Sequence, residues 1–128
     1  MSVSLGHIEQ VAIPVRDLAR ATAFYRDQLG MKLLFEVPPQ LSFFDCDGIR
    51  LALSISSDPM YDPPGSIIYY RVDDIEASHT ELEGRGVEFL QGPHRVAELG
   101  DIEIWMAFFE DTEGNTLALT SEKPVARG

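Results

Sequence analysis

A chain of 128 residues with 45% hydrophobic side chains is long enough to bury a core as a single domain over residues 1–128, and too short for several. Its 21 Asp and Glu against 10 Lys and Arg give a net charge of -11, which opposes binding to a nucleic-acid backbone and to an anionic membrane surface. No apolar run reaches the roughly 18 residues of a transmembrane helix, and the opening MSVSLGHIEQ lacks the basic start and apolar stretch of a secretory signal, so a cytoplasmic location is expected.

IEQVAIPV, apolar and β-branched, predicts a first strand. It runs into RDLARATAFYRDQLG, where Leu18, Ala21, Phe24, Tyr25 and Leu29 recur at helical spacing, Asp17 stands at the N-cap and Gly30 at the C-cap. MKLLFEV, LSFFDC and IRLALSIS predict three strands, broken by Pro38-Pro39 and by Asp47-Gly48. The single Cys46 lies in one of these runs and reads as a small buried hydrophobe. A βαβββ module thus covers residues 6–56, and SDPMYDPPG, residues 57–65, reads as a linker.

The order then repeats over residues 66–122. SIIYYRV predicts a strand, DDIEASHTELEGRG a helix capped by Asp73 or Asp74, and VEFL, DIEIWMAFF and NTLALTSE three strands. The tail KPVARG is expected to fray. DGIRLALSIS at 47–56 returns as EGNTLALTSE at 113–122, and Val15-Arg16-Asp17-Leu18 returns as Val72-Asp73-Asp74-Ile75, so the chain reads as an internal duplication. Two repeats are too few for a solenoid. Each half must bury one sheet face on its helix, which gives an α+β fold of tandem βαβββ modules with an open cup between the sheets.

With V-R-D-L-x-x-x-x-x-F-Y-x-x-x-L-G-M in the first half and F-x-E-D-x-x-G-N-x-L-x-L near the end, the chain resembles the vicinal oxygen chelate superfamily over about residues 6–122. That superfamily includes glyoxalase I, extradiol ring-cleaving dioxygenases and the fosfomycin- and bleomycin-resistance proteins. The resemblance implies a glyoxalase/bleomycin-resistance/dioxygenase fold with a divalent metal held from the first and last strand of each half. Carried onto this chain, the ligand positions are Gln10, Ala52, Ile67 and Ala118. Only Gln10 offers a donor atom, and a lone amide oxygen is a poor anchor for a transition metal. A one-residue shift gives only Ser66 or Ile68 at the Ile67 position and only leucines at the two alanines. The expectation is no metal and no cofactor.

Alternation along the strands places Ala12, Arg50, Ser54, Tyr69, Arg71, Thr116 and Thr120 on the face of those positions, with Phe43, Trp105 and Phe109 as further apolar walls. The candidate ligand-binding set is Gln10, Arg50, Ala52, Ile67, Tyr69, Arg71, Trp105 and Ala118. The resemblance implies a role for Arg71 toward substrate carboxylate, because in glyoxalase-like members an arginine four residues after a first-strand ligand can make that contact and Arg71 occupies the matching place in the second half. His7, Glu9 and His94 read as polar residues of a strand start and a loop, His79 as solvated, and the acidic clusters RVDD and FFEDTEG as caps and turn-shapers. The leading expectation is a metal-independent protein that holds a hydrophobic or aromatic small molecule in the cup and pairs into a homodimer, as is common in the family. The rival is a lyase or dioxygenase of the glyoxalase or extradiol type with an atypical or metal-free site, in which Glu103 would be the base if it faces the cup. A third is a sensor with a residual cup.

Overall fold

The computed structural model describes residues 3, 5–56, 59 and 62–125. The chain divides into two compact units, Met1–Pro63 and Pro64–Gly128, each built on one four-stranded mixed sheet.

In the first unit the order is β1 (Gln10–Pro14), α1 (Leu18–Ala23), a π-helical turn (Phe24–Gln28), β2 (Lys32–Val37), β3 (Leu41–Cys46) and β4 (Ile49–Ser54). Asp17 caps α1, its backbone extended and its carboxylate accepting from the Arg20 amide at 3.0 Å. The sheet order is β1-β4-β3-β2, with β1 parallel to β4 and the other pairs antiparallel. Asp47 and Gly48 both have positive φ, 50° and 94°, as a two-residue hairpin loop between right-twisted strands requires, and they turn β3 into β4. Thr22 Oγ1 lies 2.8 Å from Ser42 Oγ, and the Tyr25 ring leans on Phe44 with centroids 6.0 Å apart. Those contacts fix the face that the helix covers. On it Ile13, Leu53, Phe44 and Tyr25 are fully buried, each large side chain contributing about 1.5–3 kcal/mol by leaving water.

The second unit runs β5 (Ile68–Arg71), α2 (Ile75–Gly84), β6 (Phe89–Leu99), β7 (Ile102–Glu110) and β8 (Thr116–Pro124), in sheet order β5-β8-β7-β6. Of the two candidate caps, Asp74 holds the helix start, accepting from the Ala77 amide at 3.0 Å. His79 meets Phe89 edge-on at 4.4 Å, and Phe89 in turn meets Phe109 at 5.1 Å, so α2 covers the face that carries Phe89, Phe109 and Leu117. The Leu-Ala-Leu strands occupy equivalent places, β4 beside β1 and β8 beside β5.

Three sequence expectations are corrected. β6 is not the short VEFL but an eleven-residue strand that absorbs QGPHRVAEL, because its register against β7 shifts between Gln91 and His94 and so accommodates Pro93 without a ladder amide. Lys123 and Pro124 of the expected fraying tail are in β8, and the Val125 amide donates to the Asp101 carbonyl at 2.9 Å. The first helix narrows to six α-helical residues before it widens into the π-helical turn. Within the expected linker the Gly65 amide is tied to Asn115 Oδ1 at 2.7 Å, while residues 57, 58, 60 and 61, like 126–128 of the tail, lie outside the described residues.

Candidate functional site

Because strands alternate, each sheet presents a second face that no helix of its own unit covers. In the first unit that face carries Gln10, Ala12, Arg50, Ala52, Phe43 and Phe35, aligned by the pairs Gln10 with Arg50, Ala12 with Ala52, Ala52 with Phe43, and Phe35 with Phe43. The Phe35 and Phe43 rings stack with centroids 4.6 Å apart. Arg50 Nε donates to Gln10 Oε1 at 3.1 Å. Phe43 is thus where alternation placed it, and Gln10, Arg50 and Ala52 are brought together.

The second unit's open face is more aromatic. Ala118 pairs with Tyr69 on one side and with Phe108 on the other. The two rings lean toward each other across β8 and meet edge to face at 6.2 Å and 79°. That closure leaves Ala118 0% exposed, although it stands on the face without a helix. Phe108 is also in ring contact with His94 of β6, at 6.1 Å, and Met106 pairs with both Thr120 and His94. Arg71 lies at the rim, exposed, with Nη1 3.3 Å from Glu122 Oε1. Ile67 is exposed and just precedes β5.

Trp105, Phe109 and Glu103 are corrected. Their pairing with Ser121, Leu117 and Lys123 puts all three on the helix side, one residue out of phase with Ala118 and Phe108. There the Lys123 ammonium sits 3.9 Å over the Trp105 ring, and Glu103 accepts from Trp105 Nε1 at 3.0 Å and from Arg95 at 3.4 Å. Trp105 therefore lines no wall of the open face, and Glu103 is no base there. Conversely, His94, expected in a loop, is a half-buried member of a strand. No local signal marks it, because His94-Arg95 are adjacent polar residues and Val96-Ala97 adjacent apolar ones, so PHRVAEL does not alternate.

The other polar groups have structural occupations. Asp111 Oδ1 accepts from the amides of Glu113 and Asn115 at 2.8 and 2.9 Å, and its Oδ2 from Asn115 Nδ2 at 2.9 Å, so FFEDTEG shapes a buried turn. Burial and the neighbouring Asp45 and Asp47 carboxylates push the Cys46 thiol above its ordinary range. A cleft of about 680 Å³ lies in the first unit, between Arg16, Leu18, Thr22, Glu36, Pro38 and Ile55. Thr22 on its wall is bonded to Ser42, and Arg26 is paired with Asp27.

The metal positions implied by the resemblance carry Gln10, Ala52, Ile67 and Ala118. The one donor atom among them, Gln10 Oε1, accepts from a guanidinium, and Ala118 lies under two rings. A divalent ion does not fit these residues. Among the described residues there is no group of three or more His, Cys, Asp or Glu placed to hold a metal.

The model of the Glyoxalase/Bleomycin resistance protein/Dioxygenase superfamily matches residues 5–119. The chain belongs to that superfamily. A glyoxylase-like domain-containing protein of Didymella fabae is 30% identical over 123 residues, covering 89% of this chain and 92% of its own. TnmS3, an antibiotic binding protein from Streptomyces sp. CB03234, is 26% identical with a TM-score of 0.76, covering 95% of this chain and all 100% of its own. The lactoylglutathione lyase of Agrobacterium tumefaciens shares the fold, with a TM-score of 0.75 at 23% identity over 91% of this chain and 94% of its own. The superfamily therefore places both an antibiotic binder and an enzyme among the structural neighbours. No helix among the described residues is long and apolar enough to cross a membrane.

Proposed function

We propose that this superfamily member is a metal-independent binder of a hydrophobic or aromatic small molecule, received on the helix-free sheet faces. The observation that carries the reading is the closure of Tyr69 and Phe108 over Ala118, which puts an aromatic floor where the resemblance expects a carboxylate ligand. The first unit repeats the pattern more loosely, with Ala52 1% exposed between Ala12 and Phe43. Aromatic rings give a planar ligand large contact area at low entropic cost; on the second unit's face Arg71 adds a polar group beside the rings, and on the first unit's face Gln10 and Arg50 do the same. The antibiotic-binding neighbour is consistent with capture rather than turnover. As in many members of the family, the working form is expected to be a homodimer.

The test is elemental analysis of the protein after incubation with Fe(II), Mn, Ni, Co and Zn, together with a thermal-shift screen of planar aromatic compounds. The reading expects no stoichiometric ion and a raised Tm with aromatic compounds, lost in Phe108→Ala. About one ion per chain, released by Gln10→Ala, would overturn it in favour of glyoxalase or dioxygenase chemistry.

A further inference from the structure

The ring contact of His94 with Phe108 places its imidazole at the end of the aromatic row Tyr69, Phe108, His94. Its Nδ1 lies 2.8 Å from the Gly92 carbonyl oxygen, two residues back on the same strand. A carbonyl only accepts, so Nδ1 must donate, and that fixes the neutral ring as the tautomer with its hydrogen on Nδ1. Nε2 is then a bare lone pair, and among the described residues nothing donates to it.

We infer that His94 selects, among planar aromatic ligands, those that carry a hydroxyl on the ring, by accepting that O–H on Nε2 while the ring body lies along Tyr69 and Phe108. This rests on the aromatic-binding reading above and adds the class of ligand. The bulge between Gln91 and His94 is what makes the geometry, because it curls the backbone so that the Gly92 carbonyl reaches its neighbour's ring. A half-buried acceptor discriminates more sharply than an exposed one, since a ligand without the donor would cover the lone pair and leave it unpaired. Ring ethers and bare hydrocarbons would therefore be accepted less well than phenols of the same size.

The experiment compares 2-naphthol with naphthalene and 2-methoxynaphthalene by calorimetric titration, on the wild-type chain and on His94→Phe, which keeps a ring against Phe108. Wild type is expected to bind the naphthol roughly tenfold more tightly than either analogue, the scale of one hydrogen bond, and His94→Phe to bind all three within about twofold. Equal wild-type affinity for all three, or a naphthol preference that survives in His94→Phe, would sink the inference and leave the aromatic-binding reading intact. Failure of all three to bind wild type would overturn both. Imidazole nitrogen shifts provide a check without any variant, because a hydrogen on Nε2 instead of Nδ1 in the free protein would refute the tautomer on which the selection depends.

Discussion

Tyr69 and Phe108 belong to strands on opposite sides of β8, yet their rings touch at 6.2 Å because the residue between them is Ala118. A longer side chain at 118 must part the rings, and a carboxylate there would be wedged between apolar groups. Ala118→Glu is expected to cost about 2–4 kcal/mol of unfolding free energy and to abolish binding of aromatic compounds, as read by urea denaturation and calorimetry. An Ala118→Glu chain as stable as wild type would show that the rings do not close that floor.

A double-mutant cycle on Tyr69→Leu and Phe108→Leu measures the contact itself. The expected coupling is about 0.5–1.5 kcal/mol, the range of edge-to-face aromatic pairs, from chemical denaturation of the four proteins. Additive effects would mean that each ring packs independently.

Asp111 is expected to matter for folding rather than for turnover. Asp111→Ala leaves the amides of Glu113 and Asn115 without that buried acceptor, and a loss of about 2–4 kcal/mol should follow. A stable Asp111→Ala protein that lost ligand binding would instead give the FFEDTEG turn a functional role.

Much of the fold can be read in the chain because its signals are local. Asp17 and Asp74 cap, Asp47-Gly48 turns, and the doubled Leu-Ala-Leu gives two equivalent strands. The site is less legible because it depends on which residues of different strands lie opposite each other. Nothing local distinguishes Trp105 from Phe108 as the one that shares a face with Ala118; the β7–β8 pairing decides it. His94 is hidden for another reason. Gly92 and Pro93 signal a loop, and it is the edge position of β6 together with the bulge there that lets a proline lie within the sheet.

Glu76 and Lys123 give a pH dependence of known sign. The hydrogen bond from the Lys123 ammonium holds the Glu76 carboxyl below its ordinary value of 4.5. A depressed carboxyl contributes stability above the unfolded value, and that contribution is lost as pH falls through the folded one. Both groups are partly exposed, so less than about 1 kcal/mol is at stake. The gap in urea midpoint between wild type and Glu76→Gln should be small at pH 7 and vanish in acid below that range. A gap that widens in acid would reverse the sign.

Cys46 should be a sluggish thiol. With its ionisation disfavoured by burial and by Asp45 and Asp47, it is expected to react with iodoacetamide at pH 8 several times more slowly in the native chain than in urea, by mass-spectrometric time course. Equal rates would show a thiolate as available as in the unfolded chain.

The irregularity of β6 also bears on how the protein survives at high concentration. β6 is the end strand of its sheet and 11 residues long, a length at which a regular edge would template hydrogen bonding to another molecule. Its three register shifts and the charged Arg95 and Glu98 break that row of amides into short pieces. The bulge that turns His94 toward the Gly92 carbonyl is therefore also a guard against edge-to-edge aggregation, and straightening β6 by design would expose the chain to it.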